Sequence, residues 1–409
     1  MTGFVTRRQL LTAAGLGGGA ALIAGTTPAA AAGTPRTPAT LQLTLSRPTG
    51  PYPVGVVSLH LVDQSRSDPW TTSQPVRELM TSIWYPARTV AGYPRAPWLP
   101  ACAAALFLSR HDTDSAAIRL PWTHGHEGAP VRRHRNGLPV VVYSPGFGGD
   151  RTFNTLLVEE LASYGYLVIT VDHTYEAWEV EFPGARVATR IVPDGGIQDA
   201  LTVRVADVRF VLDCVATINR GQNPDAEGRP LPAGLRGAGD LSRTGMFGHS
   251  LGGATAAMAA LVDPRVRAAV NLDGDILGPV LELGLDRPFL AFSNPHNTRC
   301  TEPSLAALWP RLRGWRRQLS LRDAQHFTFA DMVELYPPAW LHLGLPEQEL
   351  EEALGTIAPR RAVAALRAHL KAFFDAHLKG FGHPLDEASG AYPEVEFIRD
   401  TAPCTAANR

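Results

Sequence analysis

Charge is scarce and evenly balanced in this chain. Its 38 Lys and Arg against 39 Asp and Glu leave a formal net charge of −1, and only 19% of the residues are charged. Such a balance supplies no electrostatic footprint for nucleic acid or for an anionic membrane, so neither is expected as a partner. Cysteine is also rare: Cys102, Cys214, Cys300 and Cys404 are the full set. They lie too far apart for a zinc motif, so no metal site is expected, and nothing in the sequence asks for a cofactor. Beyond the N-terminal region no run of 18 apolar residues occurs, so the mature chain should carry no integral membrane segment. What is abundant is apolar side chain, 45% of the total, which excludes a disordered, collagenous or coiled-coil protein and suits a large core.

The first 32 residues read as an address. Arg7-Arg8 precedes a short, Gly-rich apolar stretch from Leu11 to Ala24, and Ala29 to Ala32 supply the small residues of a cleavage site. The paired arginines point to a twin-arginine export signal, and export to secretion. No cysteine follows the cleavage region, which argues against a lipid anchor. Oxidation is permitted outside the cell, and four cysteines allow three pairings. Cys300 with Cys404 is the favoured one, and Cys214 can equally be a buried free thiol.

Residues 33–47, rich in Pro, Thr and Ala, are expected to be a linker, and 48–380 the folded domain. Within it, residues 87–137 show little periodicity and are taken as a surface excursion, and 381–409 as a C-terminal tail. Strands are expected at Val54–Leu59 and Leu79–Trp84. From residue 138 strands and helices alternate: strands at Val140–Tyr143, Leu167–Val171, Thr244–Phe247, Ala268–Leu272, Pro288–Phe292 and Gln318–Leu321, and helices near Leu156–Tyr164, around Val205–Val215, and near Ala362–Leu378. Val180–Val192 reads as a hairpin about Pro183-Gly184. The fold class that follows is α/β, with a mostly parallel central sheet covered by helices on both faces.

One turn carries chemistry. Gly248-His249-Ser250-Leu251-Gly252-Gly253 lies between a short strand and an Ala-rich helix, the setting of a nucleophile elbow, which makes Ser250 the candidate nucleophile. A hydroxyl needs a base, and the base needs an orienting acid, in the chain order Ser, acid, His. The strand ending at Phe292 runs into Ser293-Asn294 and offers no carboxylate, whereas the one ending at Leu272 runs directly into Asp273. Asp273 is therefore the candidate acid, with Asp275 as alternative. His326, following the last strand candidate, is the candidate base, with His296 as alternative. His342 is placed in a Pro-rich loop, and His369, His377 and His383 on or just past an exposed helix. The tetrahedral oxyanion needs two N–H donors. Leu251, after the nucleophile, and Phe147, in the Gly-rich exit of the Val140–Tyr143 strand, are the candidates. Trp98, Trp122, Trp178 and Trp309 fall in loops and are assigned no role.

Together, Ser144-Pro145-Gly146-Phe147-Gly148, Gly248 to Gly253, Leu272-Asp273 and His326-Phe327-Thr328-Phe329-Ala330-Asp331 resemble the secreted type of platelet-activating factor acetylhydrolase. Pro51 to Gly55, Leu161 to Tyr166 and Val171-Asp172-His173 extend the resemblance over residues 48–380. It implies an α/β-hydrolase fold, an acid soon after the elbow, and hydrolysis of short or oxidised acyl chains on phospholipids without a metal. Pro145 departs from the animal enzymes, which carry His there. Ser-Pro-Gly-aromatic with the Gly-His-Ser-x-Gly-Gly elbow is similar to bacterial cutinases and polyester hydrolases, whose acid would stand where this chain has Asn294. The expected activity is thus metal-free hydrolysis of a lipid or small-molecule ester through an acyl-enzyme. Polyester or cutin hydrolysis, acyl transfer to a cell-wall acceptor, and a non-catalytic binding domain are the alternatives.

Overall fold

The computed structural model describes residues 40–114, 116–382, 385 and 390–398. Their strands are β1 (Leu41–Gln42), β2 (Val54–Asp63), β3 (Arg77–Pro86), β4 (Arg95–Pro97), β5 (Ile118–Arg119), β6 (Trp122–Glu127), β7 (Leu138–Ser144), β8 (Leu167–Val171), β9 (Glu179–Phe182), β10 (Arg186–Thr189), β11 (Gly239–His249), β12 (Val266–Leu272), β13 (Phe289–Ser293), β14 (Arg316–Leu321) and β15 (Val395–Phe397). The helices are α1 (Ala101–Arg110), α2 (Thr155–Ser163), α3 (Ile197–Asn219), α4 (Leu251–Val262), α5 (Val280–Leu283), α6 (Pro303–Leu308), α7 (Met332–Leu343), α8 (Glu347–Leu354) and α9 (Pro359–Lys379).

Eleven strands form one sheet in the order β15-β14-β13-β12-β11-β7-β8-β3-β2-β6-β4. The run from β14 to β8 is parallel throughout, and antiparallel pairs join β3 to β8, β2 to β3, β4 to β6 and β15 to β14. The parallel strands are apolar on both faces, as strands covered twice must be. In β7, Val140, Val141, Val142 and Tyr143 are all fully buried. Because successive side chains alternate across a strand, Val141 and Tyr143 enter one core with Leu157 of α2 and Phe373 of α9. Val140 and Val142 enter the other, with Leu212 of α3 and Ala257 of α4.

Four segments depart from expectation. Residues 87–137 are not confined to the surface: β6 pairs with β2, β4 pairs with β6, and Trp98 is fully buried with its indole N–H donating to Asp331. Local periodicity is absent there because each piece is too short to show a period. Of the expected linker, residues 40–47 belong to the body, since Leu43 and Leu45 are buried in the core. Of the expected tail, Val395–Phe397 adds the edge strand beside β14. The segment holding His342 is helix α7 despite Pro337 and Pro338 inside it. On α9, His369 is buried against Phe292 and Tyr392 and does not face solvent. Trp309 is buried too, whereas Trp122 is exposed. Among the described residues no helix is long and apolar enough to cross a membrane, and Cys102 and Cys214 are free thiols. The export segment, His383 and Cys404 of the expected disulfide lie outside the described residues.

Candidate active site

Parallel strands deliver their carboxyl ends to one edge, and in open α/β sheets the ligand crevice lies outside that edge. Here the edge collects Ser144 from β7, Ser250 after β11, Asp273 after β12, Asn294 after β13 and, a short loop beyond β14, His326. The five strands concerned are consecutive neighbours in the sheet, so residues far apart in sequence meet without long reach.

Ser250 occupies a backbone region that non-glycine residues rarely adopt, at φ 54° and ψ −124°. Its neighbours show why the turn needs glycine. A Cβ on Gly248 would lie 2.2 Å from the Gly252 carbonyl carbon, and one on Gly252 would lie 1.9 Å from the Ser144 oxygen. Any side chain there would push the elbow off the β7 loop. The strained turn is pinned by Ser250 N–H donating to the Leu272 carbonyl at 2.9 Å and by Gly253 N–H donating to the Ser250 carbonyl at 2.8 Å. The Ser250 side remains partly open to solvent. Leu251 opens α4, so its N–H belongs to the first turn, where helical amides have no partner within the helix.

Asp273, also at positive φ (53°), is buried. His326 Nδ1 donates to its Oδ2 at 2.7 Å. Asn294 donates to both carboxylate oxygens, through its main-chain N–H to Oδ1 at 2.8 Å and through Nδ2 to Oδ2 at 2.9 Å. Thus the residue that read only as a missing carboxylate is a double donor to the carboxylate next door. The alternative acid, Asp275, and the alternative base, His296, are both exposed. His296 instead donates its N–H to Asn294 Oδ1.

His249, inside the elbow, is buried, and its Nε2–H donates to the main-chain carbonyl of His326 at 3.0 Å. The two rings stand 4.4 Å apart. Burial, and then the His326 charge, hold the His249 pKa well below its ordinary value, so the ring stays a neutral donor. His326 is thereby fixed from two sides, by Asp273 at its ring and by His249 at its backbone.

The β7 exit loop approaches the same point: a Cβ on Gly146 would lie 3.3 Å from the Ser250 Cβ. Beneath that loop is a second Ser-His-Asp chain that sequence reading did not single out. Ser144 Oγ donates to His173 Nε2 at 2.9 Å, and His173 Nδ1–H donates to Asp207 Oδ2 at 3.0 Å. All three are fully buried. Asp207 also takes a two-pronged contact from Arg77, at 3.1 and 2.7 Å, and a third donor from Arg66. Burial alone would raise the Asp207 carboxyl, but the Arg77 charge, then the His173 and Arg77 hydrogen bonds, hold it well below the usual carboxylate range. Burial, helped by the Arg204 charge, depresses His173 against the pull of Asp207. The Ser144 hydroxyl accepts from Arg204 Nη1 at 3.1 Å, so neither of its ends is free for a substrate. The signal was present in Val171-Asp172-His173, but Asp207 in mid-helix gave none.

The fold and this edge agree with known proteins. The family model described as "Platelet-activating factor acetylhydrolase, isoform II" matches residues 39–180. A "Probable 1-alkyl-2-acetylglycerophosphocholine esterase" of Arthroderma benhamiae is 25% identical over 87% of this chain and 93% of its own length. A solved ferulic acid esterase from Streptomyces cinnamoneus is 36% identical, covers 87% of this chain and 99% of its own, and superposes with a TM-score of 0.73. The chain belongs with that esterase among the α/β-hydrolases, and its first half resembles the platelet-activating factor acetylhydrolases. The relation to cutinases is weaker: Cutinase est1 of Thermobifida alba is 26% identical over 51% of this chain and 61% of its own length. These relatives make the chain an ester hydrolase by class, and the arrangement at the sheet edge is one that acyl transfer can use.

Proposed function

We propose that the protein is an exported serine esterase that cleaves carboxylic esters through an acyl-enzyme, and that Ser250, His326 and Asp273 carry the reaction. Ser250 Oγ attacks the ester carbonyl carbon while His326 Nε2 takes its proton and passes it to the departing alcohol oxygen. Water then attacks the acyl-enzyme, His326 accepts a proton from it, and the acid leaves as Ser250 is restored. Asp273 holds the imidazole by its Nδ1–H and stabilises the imidazolium, and Asn294 keeps the carboxylate in place. The amides of Phe147 and Leu251 receive the oxyanion. The observation that carries this reading is the 2.7 Å His326–Asp273 bond held against the partly open Ser250 turn at the sheet's carboxyl edge.

Short acyl groups on lipid alcohols are the substrates the acetylhydrolase-like relatives support. Esters of a phenolic acid are the second reading, favoured by the 36% identity to the ferulic acid esterase along 99% of its length. Kinetics on nitrophenyl acetate, an acetyl phospholipid and methyl ferulate separate the two by kcat/KM. Replacing Ser250 by Ala should lower kcat by about 10⁶-fold on whichever is best. Wild-type rates in Ser250→Ala would sink the mechanism. For export, the medium form should begin near Ala32, and Lys at positions 7 and 8 should hold the chain inside the cell.

A further inference from the structure

We propose that Arg204 is a positioning residue for the oxyanion donor, and that the buried Ser144–His173–Asp207 chain exists to hold Arg204; this rests on the reading of Phe147 N–H as that donor. Arg204 projects from the inner face of α3, one turn before Asp207, and is 1% exposed. Its guanidinium donates through Nη1 to the Pro145 carbonyl at 2.5 Å and through Nη2 to the Gly146 carbonyl at 2.9 Å. Glu176 takes two further bonds from it, at 2.5 and 2.8 Å, and accepts the Gly148 N–H at 2.7 Å. Trp178 main-chain N–H donates to the Gly148 carbonyl at 3.0 Å.

The consequence for Phe147 is geometric. Its N–H shares a planar unit with the Gly146 carbonyl, and no peptide among the described residues is cis. In a trans unit the two groups point in opposite directions. Turning the Gly146 oxygen onto Arg204 therefore turns the Phe147 N–H away from Arg204, at a loop whose Gly146 packs against Ser250. Among the described residues nothing accepts from that N–H, while the loop's neighbouring groups are held. Behind it the hydrogen bonds run Arg204 to Ser144, Ser144 to His173, and His173 to Asp207, which Arg77 neutralises. Arg204 is thus a fixed fork between two anions, Glu176 and, through the relay, Asp207. Only a planar fork can hold two successive carbonyls and Glu176 together, so lysine is no substitute.

A positioned amide contributes to the tetrahedral state and not to ground-state binding. The test compares wild type with Arg204→Met, Arg204→Lys and Glu176→Gln. Its readouts are kcat, KM, and affinity for a trifluoromethyl ketone against the matching methyl ketone. Arg204→Met should lower kcat about 10²-fold, as loss of one oxyanion donor does. KM should hold within about threefold, and the trifluoromethyl ketone should lose the same factor as kcat. Arg204→Lys should recover only part. Equal weakening of both ketones, or a loss confined to KM, overturns the proposal. If Arg204→Met does not fold, Glu176→Gln carries the same comparison with a smaller loss of preference for the trifluoromethyl ketone, and an unchanged preference there overturns it. Fluorophosphonate labelling of the wild type, located by mass spectrometry, keeps the two claims apart. Label away from Ser250 sinks the functional reading; label on Ser250 with unaltered ketone discrimination in the variants sinks this inference alone.

Discussion

Two Ser, His and Asp sets lie in one molecule, close to the same loop, each with a short His–Asp hydrogen bond. His326 meets Asp273 at 2.7 Å and His173 meets Asp207 at 3.0 Å. They differ in access and in what neutralises the acid. Ser250 sits partly open on a strained turn, and among the described residues Asp273 receives neutral amide donors from Asn294 besides His326. In the proposed mechanism its negative charge is available to the imidazolium that forms during reaction. Asp207 faces Arg77 and Arg66, and Ser144 is covered by Arg204. A carboxylate already matched by cations has little left to offer a second charge, and a hydroxyl bonded at both ends cannot attack. On the proposed reading the same three residue types serve as a reactive centre in one place and as a brace in the other; their partners decide which.

The largest effect that separates the two chains concerns their acids. Asp273→Asn should lower kcat by about 10⁴-fold, because the imidazole loses its tautomer and its counter-charge. Melting temperature should change little, since Asn294 can still bond an amide there. Asp207→Asn should do the reverse. Removing one member of a buried pair costs about 3–5 kcal/mol, so the melting temperature should fall by many degrees while kcat in the folded fraction stays far above that of Asp273→Asn. Steady-state kinetics and thermal unfolding on both variants check this, and a kcat loss in Asp207→Asn as large as in Asp273→Asn would erase the distinction.

A pH series sharpens the same comparison. The folded protein holds Asp207 below the usual carboxylate range, so its stabilising contribution is present above the unfolded value of about 4 and is lost as pH falls below it. The gap in melting temperature between wild type and Asp207→Asn should therefore be constant from neutral pH down to about 5 and close progressively below 4. A gap that instead closes on raising the pH would assign the stability to another group.

Much of the exposed site was legible because it is local. The elbow shows itself in six consecutive residues, and Asp273 and Asn294 each follow directly on an apolar strand. The brace was not, because its partners are distant. Arg77 lies on β3 and Asp207 in the middle of α3, 130 positions away. A lone aspartate on a helix reads as solvated, and only the cation it meets explains its burial. Helix α7 was hidden for a different reason: Pro337 and Pro338 are breakers by local rules, yet the helix continues with Leu335 and Ala339 buried. His369 misled in the same way, since the aromatic pocket around it is made by β13 and by Tyr392 near the chain's end. Tertiary contacts, not local preference, decided each of these.

The smallest effect tests the link between the two chains. In Ser144→Ala the brace loses one hydroxyl, leaving His173 Nε2 buried without its donor and Arg204 Nη1 without one of its two acceptors. An unsatisfied buried polar group costs about 1–3 kcal/mol, so stability should fall, by less than in Asp207→Asn. Arg204 keeps both loop carbonyls and Glu176, so kcat should drop less than in Arg204→Met. Fluorophosphonate should still label Ser250, because Ser144 is fully buried. A variant that loses labelling together with turnover would mean that the buried serine, and not Ser250, is the nucleophile, and the roles of the two chains would have to be exchanged.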